Sequence, residues 1–309
     1  MVVEVAANDG YLLQFVKEKG IPCYGIEPTH NTAVAARKKE IEILEEFFGE
    51  KLADDLVRAG RQADLAIANN VLAHVPDINN FVKGFAKILK PDGVVTFENP
   101  HLLKLVEQKQ FDTIYHEHYS YLSVTSVIKI LKTNGLMLFD VEEIAIHGGS
   151  LRYYAQRSDT GNKEISQNIS DIQDKEIKAG ITSLNFYKGF QFQAETIKAG
   201  FLKFLLHQKS IGKKVAAYGA AAKGNTMLNF CGLRPDLIHF IVDKNPAKQN
   251  MLAPGSRIPV VDESYLREEM PDYIVILPWN LQEEIKEQLS YVAEWGGRFV
   301  VAIPELKVL

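Results

Sequence analysis

The sequence predicts an α/β protein: a Rossmann-like sheet, then a helical connector, then a second, smaller Rossmann-like domain. Three observations predict it. Short apolar runs at 2–5, 23–26, 63–68 and 94–98 alternate with segments of helical spacing, the pattern of strand–helix–strand units around a mostly parallel sheet. A second set of runs at 214–219, 238–243, 273–277 and 298–302 repeats the pattern after a polar stretch with helical periodicity. Each set opens with a strand that runs into a glycine turn and a helix start, where such sheets bind ligands. The domains expected are 1–157, a connector over 158–213, and 214–309.

Composition bounds the function. The chain has 309 residues, 46% hydrophobic and 24% charged, with a formal net charge of −4. That length accommodates two domains with real cores. Acidic and basic residues are interspersed, so no nucleic acid or anionic membrane partner is expected. No apolar run reaches 18 residues, so no membrane span is expected. Cys23 and Cys231 are too few for a metal knuckle or a disulfide framework. A cytoplasmic location is the expectation. There is no signal-like leader. Met1 leads straight into a buried-looking strand, so an upstream segment is expected to be missing.

In the first domain, 2–5 reads as a strand, Asn8-Asp9-Gly10 as the turn and 11–19 as a helix. The next strand ends in Glu27, 17 positions after Gly10, placed to accept hydrogen bonds from the hydroxyls of an adenosine ribose. The turn lacks G-x-G-x-x-G. Ala6 and Ala7 leave less room for a pyrophosphate, and Glu4 and Asp9 repel one but favour a cation. This points to S-adenosylmethionine (SAM), with Asn8, Asp9, Gly10, Glu27 and Asn70 as its candidate contacts. The strand at 63–68 followed by Leu72, His74, Val75, Pro76 and Asp77 resembles the fourth-strand region of class I methyltransferases. Helix 81–89 ends at Lys90-Pro91-Asp92-Gly93, a stop that Pro and Gly explain on their own. A helix at 124–134 and two strands, 137–146 and 151–157, follow. The strands are joined by His147-Gly148-Gly149-Ser150, a hairpin turn whose flanking Ser150 and Arg152 are candidates to reach a phosphate.

The connector carries Phe190, Phe201 and Phe204 as a core-facing stripe. The second domain opens with the turn Gly219-Ala220-Ala221-Ala222-Lys223-Gly224-Asn225. This is again not the dinucleotide pattern. Lys223 and Asn225 at a helix start suit a diphosphate or sugar hydroxyls; a solvated lysine at a helix N-terminus is the plain alternative.

The densest chemistry lies at Phe111 to Ser123, FDTIYHEHYSYLS. Tyr115, His116, Glu117 and His118 are consecutive, and imidazole, carboxylate and phenol are the groups that move protons near neutral pH. An extended segment would put His116 and His118 on one face and Tyr115 and Glu117 on the other. The spacing is not H-E-x-x-H, so no metal is expected.

Taken in order, EVAANDG, GIEP, NNVLAHVPD, FDTIYHEHYSYLS, HGGSLR, YGAAAKGN and IPEL span almost the whole chain. Together they resemble the sugar C-methyltransferases of deoxysugar biosynthesis, which act on nucleotide-linked 4-keto hexoses. The resemblance implies a class I SAM-methyltransferase fold, SAM as cofactor and a nucleotide-sugar as substrate. It implies that His118 removes the α-proton, with Glu117, Tyr115 and His74 orienting substrate and donating toward the oxyanion. The cleft between the domains would be the active site. The family usually carries an N-terminal zinc-binding domain with four cysteines, and an active-site tyrosine ahead of the first strand; both are missing here, so a partner chain is a candidate source of that module. Two other readings compete: a SAM or nucleotide-sugar binding protein without activity, and a nucleotide-dependent oxidoreductase using the C-terminal domain.

Overall fold

The computed structural model describes residues 1–309. The chain divides into two compact units. The first comprises Met1–Leu103 and Glu117–Phe186, the second Lys104–His116 and Tyr187–Leu309. The stretch expected to be a single connector over 158–213 is thus shared between the units, and a short piece of the N-terminal half belongs to the second.

In chain order the first half contains β1 (Val2–Val5), α1 (Leu13–Glu18), β2 (Cys23–Ile26), α2 (His30–Lys38), β3 (Ile43–Leu44), α3 (Glu50–Arg58), β4 (Ala63–Asn69), α4 (Ile78–Ile88), β5 (Leu89–Pro100), α5 (Leu102–Glu107), α6 (Val124–Thr133), β6 (Leu136–Ile144), β7 (Ser150–Arg157) and α7 (Gln167–Ala179). The strands form one sheet in the order β3-β2-β1-β4-β5-β7-β6. β1 to β5 are parallel, and β7 runs antiparallel between β5 and β6. All four residues of β1 are buried, as a central parallel strand requires. α4 covers one face with Phe81, Val82, Phe85 and Ile88, and Asp77 caps it by accepting the Asn80 amide at 3.0 Å. The strand after α4 starts earlier than expected. β5 begins at Leu89, and Lys90 to Gly93 continue it through an irregular register opposite Ala63. Gly93 is required there, because a Cβ would sit 2.8 Å from the Ala63 carbonyl oxygen.

The second half contains α8 (Leu184–Tyr187), α9 (Phe190–Ser210), β8 (Val215–Tyr218), α10 (Ala222–Cys231), β9 (Ile241–Val242), β10 (Val260–Val261), α11 (Tyr265–Glu269), β11 (Tyr273–Ile276), α12 (Gln282–Gln288), β12 (Arg298–Val301) and β13 (Lys307–Val308). Its sheet runs β10-β9-β8-β11-β12-β13, parallel except for β13. Phe201 is fully buried, and Phe190 and Phe204 pack on the same core. Phe111, from the short piece 104–116, joins that core against Phe230, with ring centroids 5.1 Å apart. No helix is long and apolar enough to cross a membrane.

Candidate active site

In the first unit the strand order reverses direction between β1 and β4, so the crevice at their carboxyl ends is the expected ligand seat. The β1 turn is built for close approach. Ala6, Asn8 and Gly10 take positive φ, and a Cβ on Gly10 would lie 2.5 Å from Ile41 Cδ1. Glu27 sits at the tip of β2, and its carboxylate accepts the amides of Asn8 at 3.0 Å and Thr29 at 2.8 Å. This fixes the acid beside the turn and leaves lone pairs for two hydroxyls. Asn70 follows β4 in the left-handed region, its amide bonded to the Glu98 carbonyl at 2.8 Å.

The electrostatics favour a cation. Glu4 is buried in β1, one carboxylate oxygen lacks a partner, and its pKa is pushed up to about 8, first by burial and then by Asp9. The Tyr11 phenol is raised by burial and then by the charges of Glu4, Glu98 and Asp9. Asp9 is itself half-exposed and paired with Lys39 at 2.8 Å, so it contributes less field than its charge suggests. These residues suit a SAM seat: a tight glycine turn, an acid with spare lone pairs at the strand tip, and a buried Glu4 carboxyl that a nearby cation would draw toward its charged form.

Beyond β4 the chain makes a 3-10 turn over Leu72–His74. The Tyr119 and Ser120 amides both reach the Ala73 carbonyl, at 2.8 and 3.2 Å. That pairing brings the rings of His74 and His118 to 4.7 Å, edge-on, with Tyr121 6.0 Å from His118 on another side. His118 is half-buried, while His116 and Glu117 are exposed. The stretch is not extended: residues 115–117 bend and turn, so strict face alternation does not apply. Tyr115 and His116 are assigned to the second unit, Glu117 and His118 to the first.

Two expectations for the hairpin change. His147, Gly148 and Gly149 form the turn with φ of 54°, 84° and 108°. Arg152 does not await a phosphate: β7 lies between β5 and β6, and its guanidinium is held by Glu98 and by Glu142 at 2.8 Å. Ser150 is buried and its hydroxyl donates to the Ile146 carbonyl at 3.1 Å.

In the second unit the corresponding switch lies between β8 and β11. Gly219 takes φ of 92° and a Cβ there would meet Pro278 at 2.5 Å. Asp243, the acid after β9, is already occupied by the amides of Ala220 and Asn245, each at 2.8 Å, and by Lys248 at 3.4 Å. These donors leave Asp243 less acceptor capacity for a ribose than Glu27 keeps. At the α10 N-terminus Lys223 reaches Asn280 Oδ1 at 3.2 Å and lies 4.9 Å from the Trp279 ring centroid. Burial lowers its pKa against the pull of Asp112. Asp112 accepts the Trp279 indole N–H at 2.8 Å, and burial raises its pKa to about 6 against that bond and Lys223. Asn225 Oδ1 is buried without a partner. Asp112, Trp279 and Asn280 were not candidates from sequence; the FDT that precedes YHEH was the available signal for the first.

A methyltransferase domain model matches residues 1–141, and a C-methyltransferase C-terminal domain model matches 145–304. C-methyltransferase NovU from Streptomyces niveus is 33% identical over 309 residues, which is 100% of this chain and 73% of that protein. The chain belongs to the C-methyltransferase family. It is a SAM-dependent enzyme with a class I methyltransferase fold in its first unit. A ubiquinone biosynthesis O-methyltransferase from Salmonella paratyphi A is 28% identical over 100 residues, covering 31% of this chain and 40% of that one. Among solved structures, magnesium protoporphyrin IX methyltransferase from Synechocystis PCC 6803 with bound SAH covers 51% of this chain and 74% of its own, at 18% identity and TM-score 0.41.

Proposed function

We propose that this C-methyltransferase acts on a nucleotide-linked 4-keto deoxysugar, adding a methyl group at the carbon beside the ketone. The observation that carries the reading is the half-buried His118 imidazole packed against His74 and tied to the tip of β4. SAM would be held by the Asn8–Gly10 turn, Glu27 and Asn70, and when bound it supplies an electrophilic methyl on a sulfonium. The chain's own groups do the rest. His118 takes the proton from the carbon next to the carbonyl, which is the step that makes that carbon nucleophilic. His74, Glu117 and Tyr115 orient the sugar and donate toward the enolate oxygen. A positioned base of this kind is worth about 10²–10⁴-fold, and oriented donors lower the barrier further.

The second unit is proposed to hold the nucleotide diphosphate. Lys223 supplies charge for the diphosphate at the α10 N-terminus, and Asn225 Oδ1 supplies an acceptor, used by no protein group, for a sugar hydroxyl. The turn at 219–225 lacks G-x-G-x-x-G and Asp243 already holds two amides and Lys248, which favours this over a dinucleotide-dependent oxidoreductase. Methyl transfer from labelled SAM to a nucleotide-linked 4-keto deoxysugar, compared between wild type and His118→Gln, tests the proposal. Turnover by the wild type that collapses in the variant supports it; a variant as fast as wild type removes His118 from the mechanism.

A further inference from the structure

We propose that Glu176 is a positioning residue for His118, holding together the two ends of the chain excursion that carries the imidazole. The inference rests on the proposed role of His118. Glu176 lies on α7 and is fully buried. Its Oε1 accepts His101 Nε2–H at 2.7 Å and the Val124 amide at 2.7 Å; its Oε2 accepts the Thr125 amide at 3.0 Å and the Thr125 hydroxyl at 2.7 Å. His101 ends the path out of β5, and Val124 and Thr125 begin α6. One carboxylate therefore grips the start and the finish of the segment between them.

The geometry around those four bonds is a closed neck. His101 and Leu122 form an isolated parallel bridge, and the Leu102 amide donates to the Leu122 carbonyl at 3.0 Å. The His101 amide donates to Gly149 at 3.1 Å. The His101 ring is buried and its Nδ1 has no partner, so the Nε2 proton goes to Glu176; a bare lone pair costs less there than an orphaned N–H. Burial opposes charge on Glu176, yet its bonds to His101, Thr125 and Val124 hold its pKa below the ordinary range. A carboxylate at a helix start also meets the positive end of the α6 dipole. Four residues before Leu122 sits His118, and the Ala73 carbonyl takes the two amides just after it. With the neck fixed by Glu176 and the middle fixed by Ala73, the imidazole has one place to stand against His74.

The test uses Glu176→Gln and Thr125→Val in the full chain. The Glu176→Gln substitution keeps the volume but turns one acceptor into a donor facing donors; Thr125→Val removes only the hydroxyl arm. The His118 ring resonance, assigned by its loss in His118→Gln, is titrated by NMR, and amide hydrogen exchange is read at Tyr119, Ser120 and Leu122. The expected result is a displaced His118 titration and faster exchange at those amides in both variants, larger for Glu176→Gln. kcat falls on the order of 10²-fold at most, KM for SAM is unchanged, and Glu176→Gln adds no further loss in the His118→Gln background. Folded variants with wild-type His118 titration and exchange, or rate losses that multiply those of His118→Gln, overturn the inference. Absence of wild-type turnover would count against the proposed function alone, since the NMR and exchange readings decide Glu176 without activity.

Discussion

The two units share a parallel core order, β3-β2-β1-β4-β5 in the first and β10-β9-β8-β11-β12 in the second, and differ in the side chains at the turn. Each has a central strand, a turn forced open by a glycine, and an acid after the neighbouring strand. In the first unit that acid, Glu27, accepts two amides and keeps capacity for a ligand, and Glu4 is buried in the preceding strand. In the second the acid, Asp243, is consumed by two amides and Lys248, and the helix start carries Lys223. The shared strand order thus frames the seat we propose for a cation in one unit and the one we propose for an anion in the other. Topology locates a ligand site; the charge at the turn decides what enters it.

The severest challenge to this contrast comes at the proposed base. His118→Gln should lower methyl transfer by about 10²–10⁴-fold while isothermal titration shows SAM affinity unchanged. Next, Glu27→Gln should weaken SAM about ten- to a hundredfold, the value of one to two hydrogen bonds to a charged group. Asp243→Asn should leave SAM affinity alone and lower the melting temperature. Equal effects of the two substitutions on SAM would end the assignment of separate roles. Lys223→Ala should weaken nucleotide-sugar binding about tenfold, measured by titration, with SAM binding intact.

The smallest effect concerns pH. Glu4 is raised from 4.5 to about 8 in the folded chain. The folded state therefore holds a proton that the unfolded state releases, so the stability tied to this group is complete below about pH 4.5 and is lost as pH rises toward about 8. Chemical denaturation of Glu4→Gln across pH 5 to about 8 should show a flatter dependence than wild type. A cation seated beside Glu4 should also expel its proton, so the measured heat of SAM binding near neutral pH should vary linearly with the ionisation heat of the buffer.

Much of this was legible in sequence because it is local. The β1 turn, Glu27 and the 63–68 strand are each contiguous, and their spacing alone predicted elements that the structure contains; the YHEH run was legible as a cluster of proton-moving groups, but its bent backbone was not. What sequence hid was set by non-sequential neighbours. Arg152 reads as a free anion partner until β7 is inserted between β5 and β6, which puts Glu98 and Glu142 opposite it. Glu176 is 75 residues from His101 and 52 from Val124, in a stretch that reads only as helix. Asp112 gains its meaning from Trp279, 167 residues away. The elements between Glu27 and Ala63 give little sequence signal because β3 is two residues long and α2 and α3 carry no motif.

Every step of the proposed chemistry depends on His118 removing a proton from the carbon that is to be methylated. Incubating the enzyme with a nucleotide-linked 4-keto deoxysugar in D2O and following that carbon by NMR reads this step without the methyl donor. Deuterium wash-in is expected with wild type, lost in His118→Gln and retained in Lys223→Ala at saturating sugar. Wash-in that persists undiminished in His118→Gln would contradict the assignment.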